Sequence, residues 1–257
     1  MSELIDNITS FQPVYRVLHR EKNLDFFREV LGLKVLMEEG AMVWLGGHGA
    51  KLERFQLEES PGFHSVKGSK KHVRTVIKAE ADELTQLLAR DLDKISKIYQ
   101  GKTGFAFEVI SPEDDIFLVT SDLLTDLSAL TEIEKSEITV VEDSAFVGLS
   151  DFEIIALDLN VSSGETIEYY ESIFGVKAIE NCFEFPFVTL RINVVTEEVS
   201  AVGDFLDLEF LIFLLNKNFD LRHFAEQFSE EDGTYLDASA KTFSLEVPDG
   251  IEFWFVK

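Results

Sequence analysis

A chain of 257 residues in which 46% are hydrophobic is long and apolar enough to form packed cores, so bulk disorder is not expected. Its formal net charge is −25, and the excess of acid is uneven. Residues 1–128 hold 16 basic and 21 acidic residues, whereas the remainder holds 7 and 27. Nucleic acids and anionic membrane surfaces need basic patches, so neither is an expected partner. The excess of acidic residues is typical of a solvated surface. A surface that docks a basic partner is the alternative interpretation.

The sequence contains no apolar run near the ~20 residues of a transmembrane helix. Residues 1–6, MSELID, lack the basic and hydrophobic regions of a secretory signal, which predicts a cytoplasmic protein. Display at the surface or secretion by a non-classical route stays open. Cys182 is the only cysteine, so no intrachain disulfide can form. It is also the only thiol available as a nucleophile, and its acidic surroundings predict an inert group.

The predicted elements begin with a strand, a helix and three more strands. The helix, residues 23–31, places Leu24, Phe27 and Leu31 on one face. Asn23 is the predicted N-cap and Gly32 the predicted helix end. The same βαβββ order is predicted three more times, with these elements: 72–78, 82–90, 105–110 and 116–120; 154–161, 164–174, 183–190 and 192–196; 206–215, 221–228, 242–247 and 251–256.

One phrase of the sequence occurs twice, 143 residues apart. Residues 24–35 read LDFFREVLGLKV and residues 167–178 read IEYYESIFGVKA, with matching residue types at most positions. A period of this length predicts two tandem copies of one domain type rather than a solenoid. The predicted domains are residues 1–122 and 151–257. The segment 123–150 is a predicted connection, with a helix around Leu124–Lys135.

Four βαβββ units in series resemble the vicinal oxygen chelate superfamily, which includes glyoxalases, bleomycin-resistance proteins and extradiol dioxygenases. The residues that carry the resemblance are Phe26-Phe27 with Leu31-Gly32, and their counterparts Tyr169-Tyr170 with Phe174-Gly175. The resemblance implies an α+β fold of tandem glyoxalase-like domains. It implies little about the reaction, because a fold does not define a function.

Longer stretches resemble the streptococcal CppA family, whose label is complement C3-degrading proteinase. The matching stretches are QLEESP (56–61), EVISPEDDIFL (108–118) and DLEFL (207–211). The resemblance alone implies a proteinase and complement C3 as its partner. The sequence has neither an HExxH zinc motif nor a GxSxG elbow.

The superfamily's metal ligands are His, Glu or Gln side chains on the first and last strands of each unit. In the first half the resemblance implies His72 and Glu53 as metal ligands, with Gln12 or Pro13 and Leu118 at the other two positions. The second half offers Ala156, then Asp207 or Glu209, then Glu252 or Trp254. Because histidine is missing there, an iron-type triad of two His and one carboxylate cannot form. A divalent metal in the first domain therefore stays open.

Aromatic residues concentrate in the second half, where 15 of the 23 phenylalanines follow residue 145. Phe183, Phe185 and Phe187 alternate, which predicts packing on one side of a strand. A bulky core is one interpretation, and an aromatic cavity for an apolar or planar ligand is the other.

These observations leave three candidate functions. The first is binding of a small molecule or a protein partner by a fold with a degenerate metal site and no cofactor. The second is a metal-dependent enzyme in the first-domain cavity, using His72 and Glu53. The third is the proteinase of the family label, for which no catalytic residue can be named. Monomer and homodimer both stay open.

Overall fold

The computed structural model describes residues 4–123, 127–141, 143–196, 199 and 205–257. These residues form two compact units. The N-terminal unit comprises Val17–Pro61 and Val73–Leu157, and the C-terminal unit comprises Met1–Arg16, Gly62–His72 and Asp158–Lys257. Strands dominate and helices are few, so the predicted α+β class is confirmed.

The first half of the chain contains the first two predicted repeats. Its elements are α1 (Leu4–Asn7), β1 (Ile8–Val17), α2 (Arg20–Asp25) continued by a π-helical turn (Phe26–Val30), β2 (Lys34–Glu39), β3 (Met42–Gly46), β4 (Phe55–Glu59), β5 (His64–Ser65), β6 (His72–Lys78), α3 (Ala81–Arg90), β7 (Lys97–Gln100), β8 (Phe105–Ile110), β9 (Ile116–Thr120) and β10 (Thr131–Ile133). Single 3₁₀ turns lie at Leu92–Lys94, Leu127–Ala129 and Lys135–Glu137.

The second half contains the other two repeats. Its elements are β11 (Glu153–Val161), α4 (Gly164–Phe174), β12 (Cys182–Glu184), β13 (Thr189–Val194), β14 (Phe205–Leu206), β15 (Leu208–Leu215), α5 (Leu221–Glu226), β16 (Thr234–Leu236), β17 (Thr242–Val247), a 3₁₀ turn (Pro248–Gly250) and β18 (Ile251–Val256). Within the described parts of the chain, the helices are all too short to cross a membrane as apolar spans.

The first long helix begins earlier than the sequence pattern predicts. It starts at Arg20, with His19 at the N-cap, so the prediction of Asn23 as N-cap is wrong. Asn23 is instead a buried residue inside the helix, and its Nδ2 donates to the His19 carbonyl and to Glu113 Oε1. Asn23 lies too far inside the helix for its side-chain oxygen to cap the first turn. Gly32 follows the helix end with φ +66°, which is the left-handed conformation that glycine adopts at little cost.

Over the residues that the structure describes, the connecting segment contains single 3₁₀ turns at Leu127–Ala129 and Lys135–Glu137 but no α-helix. Residues 131–133 form β10, which pairs antiparallel with β7, so the predicted helix is wrong there; residues 124–126 of that prediction lie outside the described residues. Further on, the Leu149 N–H donates to the Gly32 carbonyl. Pairing with an available strand edge satisfies backbone groups that a weak helical pattern could not.

Most strand neighbours within each unit follow one another in sequence, but some are far apart. In the N-terminal unit the orders are β4-β3-β2 and β10-β7-β8-β9-β6. In the C-terminal unit they are β16-β17-β18-β15-β1 and β11-β13-β12. β1 and β15 run antiparallel, whereas β15 and β18 run parallel. The first strand of the chain therefore pairs with a strand about two hundred residues later.

Aromatic rings fill the core of the C-terminal unit. Phe213 on β15 is fully buried, and its ring centroid lies 5.2 Å from those of both Phe253 and Phe255. Phe174 from α4 packs against Phe213 at 5.5 Å. The core interpretation of the second-half aromatics therefore holds for these residues. Phe174 thus joins helix α4 to the aromatic core, beside the buried aliphatic residues Ile167 and Ile173 of the same helix.

The predicted alternation of three phenylalanines is correct for two of them. Phe183 and Phe185 are buried, but Phe187 is 62% exposed. β12 ends at Glu184, and the Phe185 N–H donates to the Val188 carbonyl in a tight turn. Pro186 within this turn has no N–H to continue a strand ladder, so the alternation stops and Phe187 points outward.

We expect Phe213→Ala to destabilise the protein by about 3–5 kcal/mol, because the truncation removes buried ring contacts and leaves a cavity. Phe187→Ala is the matched control, since the same truncation at an exposed position leaves no cavity. Urea denaturation of both variants measures the difference. Equal losses in the two variants would contradict the assignment of Phe213 to the core.

Candidate functional site

One face of the sheet in the C-terminal unit is only partly covered. Strand register places neighbouring residues of β1, β15, β18 and β17 on this face, because Gln12 is opposite Ile212 and Ile212 is opposite Trp254. We call it the Trp254 face. Its members are Gln12, Phe210, Ile212, Ser244, Glu252 and Trp254.

The centre of the Trp254 face is an aromatic pair. Phe210 and Trp254 have ring centroids 5.3 Å apart and planes inclined by 31°, and both rings stay partly exposed. Beside them Trp254 Nε1 donates to Glu252 Oε2 over 2.8 Å. This hydrogen bond fixes the carboxylate and the indole in one geometry. The face thus offers flat apolar surface next to a negative charge, which is a combination that suits a cation.

The opposite face of the same strands forms the core, which explains why the Trp254 face is not covered by helices. Leu211, Phe213, Phe253 and Phe255 alternate with the residues of the Trp254 face and are buried. Tyr170 of α4 packs on Phe253 with centroids 5.0 Å apart. Helices cover one side of the sheet, and the period of two in a strand sends every second side chain to the other side.

A register irregularity on β15 adds a second carboxylate near one end of the strand. Val14 is opposite Phe210 and Tyr15 is opposite Leu208, so Glu209 is an extra residue between two pairs. Its Oε1 lies 2.7 Å from Arg16 Nη2. The Arg16 guanidinium also lies 4.8 Å from the ring centre of Phe63. The bulge therefore directs Glu209 to a specific cation rather than into the ladder.

The sequence suggested Asp207 as a possible metal ligand, but in the structure its carboxylate binds backbone N–H groups. Its carboxylate accepts hydrogen bonds from the backbone N–H groups of Lys71, His72 and Leu208, at 2.7, 3.1 and 2.8 Å. The side chain is 1% exposed. A carboxylate with three buried N–H donors is a structural anchor. It ties the segment before β6 to the start of β15.

Lys71 is an unusual buried cation beside this anchor. Its Nζ donates to the Gly250 carbonyl over 3.0 Å, and the residue is 4% exposed. Burial lowers the pKa of Lys71, and the nearby charge of Asp207 opposes that shift. Burying an ammonium group costs free energy that a carboxylate neighbour only partly offsets.

His72, one of the two residues predicted as metal ligands, is the first residue of β6. It is buried, and its ring packs edge-on against Tyr15 with centroids 5.1 Å apart. Glu53, the other one, is partly exposed in the loop before β4. His72 belongs to the C-terminal unit and Glu53 to the N-terminal unit, and their pairing in a metal site stays a prediction.

The vicinal oxygen chelate superfamily implies a divalent metal, so the fit of the residues matters. Two strand positions that the resemblance assigns to ligands, Leu118 and Ala156, are buried within one apolar cluster with Val76 and Ala106. Tyr99 packs against this cluster. Throughout residues 4–123, 127–141, 143–196, 199 and 205–257, His, Cys, Asp and Glu side chains nowhere form a group of three that could hold an ion. The donor set of the described residues does not fit the metal.

Cys182 lies on the short strand β12 and is partly exposed rather than fully buried. Burial nevertheless raises the pKa of its thiol, and the charge of Arg191 only partly opposes the shift. Reactive cysteines have the opposite shift, because the thiolate is the nucleophile. Cys182 therefore lacks the activation that a cysteine peptidase needs.

Known structures identify the class of this fold. Glyoxalase I from Zea mays matches with a TM-score of 0.57 at 15% sequence identity, covering 96% of this chain and 91% of that chain. At this identity the similarity shows the fold alone. The chain thus has the glyoxalase-like fold of the vicinal oxygen chelate superfamily, as the four repeats predict.

Family models and a more similar solved structure define the family of this chain within that fold. The model described as CppA N-terminal matches residues 10–133, and the model described as CppA C-terminal matches residues 149–255. The cppA protein from Streptococcus pneumoniae TIGR4 is 30% identical with a TM-score of 0.81, covering 98% of this chain and 99% of that chain. The chain belongs to the CppA family. Among curated proteins none matches it.

The buried cation predicts a pH dependence of stability. Because the pKa of Lys71 is lowered in the folded protein, the unfolded chain keeps this proton at pH values where the folded protein has released it. Stability contributed by Lys71 is therefore constant at low pH and rises as pH approaches the ordinary value of 10.5.

We expect the unfolding free energy of the wild type, relative to Lys71→Met, to increase as the pH rises toward 10.5. Urea denaturation at several pH values measures it. Lys97→Met, at an exposed position of β7, controls for the loss of one charge. A difference between wild type and Lys71→Met that does not change with pH would refute the effect of burial.

The donor set predicts a low metal content. We expect protein purified without a histidine tag to hold well below one equivalent of Zn, Ni, Mn or Fe, because apolar residues occupy ligand positions. Elemental analysis of wild type and His72→Ala measures this. One equivalent in the wild type that is lost in the variant would restore the metal site at His72.

Proposed function

We propose that the protein is a binding protein that takes a small planar organic cation on the Trp254 face. The observation that carries the proposal is the partly exposed Phe210–Trp254 pair beside a carboxylate held by Trp254 Nε1. Tryptophan is the strongest cation–π partner among the aromatic side chains. Its rigid ring loses little conformational entropy when a ligand stacks on it.

Electrostatics supports a cation rather than an anion. Glu252 lies on the face itself, and the residues after 128 have 27 acidic against 7 basic residues. A field of one sign raises the local concentration of ligands of the opposite charge. A planar anion would meet both the local carboxylate and this wider field.

Two polar side chains lie among the apolar members of the face. Gln12 and Ser244 are nearly buried members of the face, at 3% and 5% exposure. Binding sites for small molecules combine apolar walls with a few polar groups that fix orientation. The proposal requires no metal and no bond-breaking step, which agrees with the apolar cluster around Leu118 and Ala156.

N-methylquinolinium tests the proposal, with quinoline as its uncharged counterpart at neutral pH. We expect calorimetry to detect binding of the cation to the wild type. Trp254→Leu is expected to weaken it about tenfold, because the stacking surface is lost. Glu252→Gln keeps the acceptor for Trp254 Nε1 but removes the charge, so it should weaken the cation and leave quinoline unchanged.

Glu230→Gln, an exposed change of the same charge, is the matched control and should bind like the wild type. Binding that Trp254→Leu leaves intact would place the ligand elsewhere. Failure of the wild type to bind either compound, together with a protein partner whose binding is lost in Trp254→Leu, would replace the small ligand by a protein.

A further inference from the structure

A basic cleft lies in the N-terminal unit of this acidic protein. It has a volume of about 530 Å³, within the range of small-molecule sites. Four of its lining residues are basic, namely Arg28, Lys34, His48 and Arg90, and a single lining residue, Glu29, is acidic. The rest of the lining includes apolar side chains. The cleft thus combines an excess of positive charge with some apolar wall.

The four bases come from four separate places in the sequence. Arg28 lies in the π-helical turn that continues α2, and Lys34 is the first residue of β2. His48 lies in the glycine-rich turn after β3, and Arg90 is the last residue of α3. Folding therefore concentrates positive charge that no stretch of the sequence shows as a basic run.

Acidic neighbours offset these positive charges only in part. Within the described portion of the chain, Arg28 and Lys34 form no ion pair. Arg90 is held in place by other means: its Nη2 donates to the Phe146 carbonyl over 3.3 Å, and its guanidinium lies 5.0 Å from the ring centre of Phe146. Like charges that converge without partners attract an anion.

The pKa of His48 is affected by the same positive charges. Burial lowers the pKa of His48, and the charges of Lys34 and Arg90 lower it further, whereas Glu83 opposes them. The backbone N–H of His48 donates to the Leu149 carbonyl over 2.7 Å, which holds the turn at the edge of the cleft. An anion between these groups would reverse the effect of the two cations on His48.

We propose that the basic cleft binds a small organic anion, with a phosphate or carboxylate group on a short apolar body. Guanidinium groups bind both kinds of oxyanion with paired hydrogen bonds, and Lys34 adds a point charge. The apolar lining suits the body of the ligand. The inference uses none of the residues of the Trp254 face, so it stands independently of the function proposed above.

Calorimetry with phenyl phosphate, inorganic phosphate and benzoate tests the proposal. We expect phenyl phosphate or benzoate to bind the wild type, the stronger of the two identifying the anionic group, and inorganic phosphate to bind more weakly than phenyl phosphate. Arg28→Gln/Lys34→Gln should lose about tenfold or more in affinity. Lys67→Gln/Lys97→Gln removes two exposed positive charges and should retain it.

Thermal unfolding of both double variants establishes that each is folded. Equal affinity of the two double variants would overturn the proposal, as would a wild type that binds none of the three compounds. A second readout uses the His48 ring signals in NMR titrations. Saturating anion should raise the pKa of His48 in the wild type, and an unmoved pKa of His48 would overturn the site.

Discussion

The alternation of side chains along β15 and β18 is the constraint on which the C-terminal unit depends. Phe213, Phe253 and Phe255 point to one side, where α4 and α5 cover them. Phe210 and Trp254 point to the other side and stay partly exposed. Since the period of a strand is two, a shift of register by one residue would exchange core and surface. Stability and the candidate site are therefore set by the same pairing of strands.

The Asp207 anchor maintains that pairing at the start of β15. Its carboxylate holds the backbone of Lys71 and His72, and the Lys71 side chain reaches the Gly250 carbonyl in the turn before β18. Three buried N–H groups would otherwise lack this acceptor, which would be costly. Asp207 lies at a position where the resemblance suggests a metal ligand, but in this protein its carboxylate stabilises the fold.

The two proposed sites divide opposite charges between the units. All members of the Trp254 face except Gln12 lie in the acidic second half, and the face combines aromatic rings with a carboxylate. The basic cleft collects cations of the first half around one cavity. The resemblance assigns metal ligands to the first and last strands of each unit, where this chain has Leu118 and Ala156 in an apolar cluster. Within one fold, the identity of a few side chains decides between chelation and binding.

The sequence by itself determined the α+β class and the four βαβββ repeats, because periodicity and the repeated aromatic phrase are local features. The sequence also resembles the CppA family through residues 56–61, 108–118 and 207–211. Through the superfamily resemblance it offered Gln12, Glu252 and Trp254 as positions of metal ligands, and strand pairing places them together on the Trp254 face. It misplaced the start of the first helix, the helix around 124–135 and Phe187, because a buried amide, a strand edge and a proline turn overrode local patterns. Only the tertiary structure paired β1 with β15, made Asp207 an anchor and gathered Arg28, Lys34, His48 and Arg90. Such contacts join residues distant along the chain, and a one-dimensional pattern does not contain them.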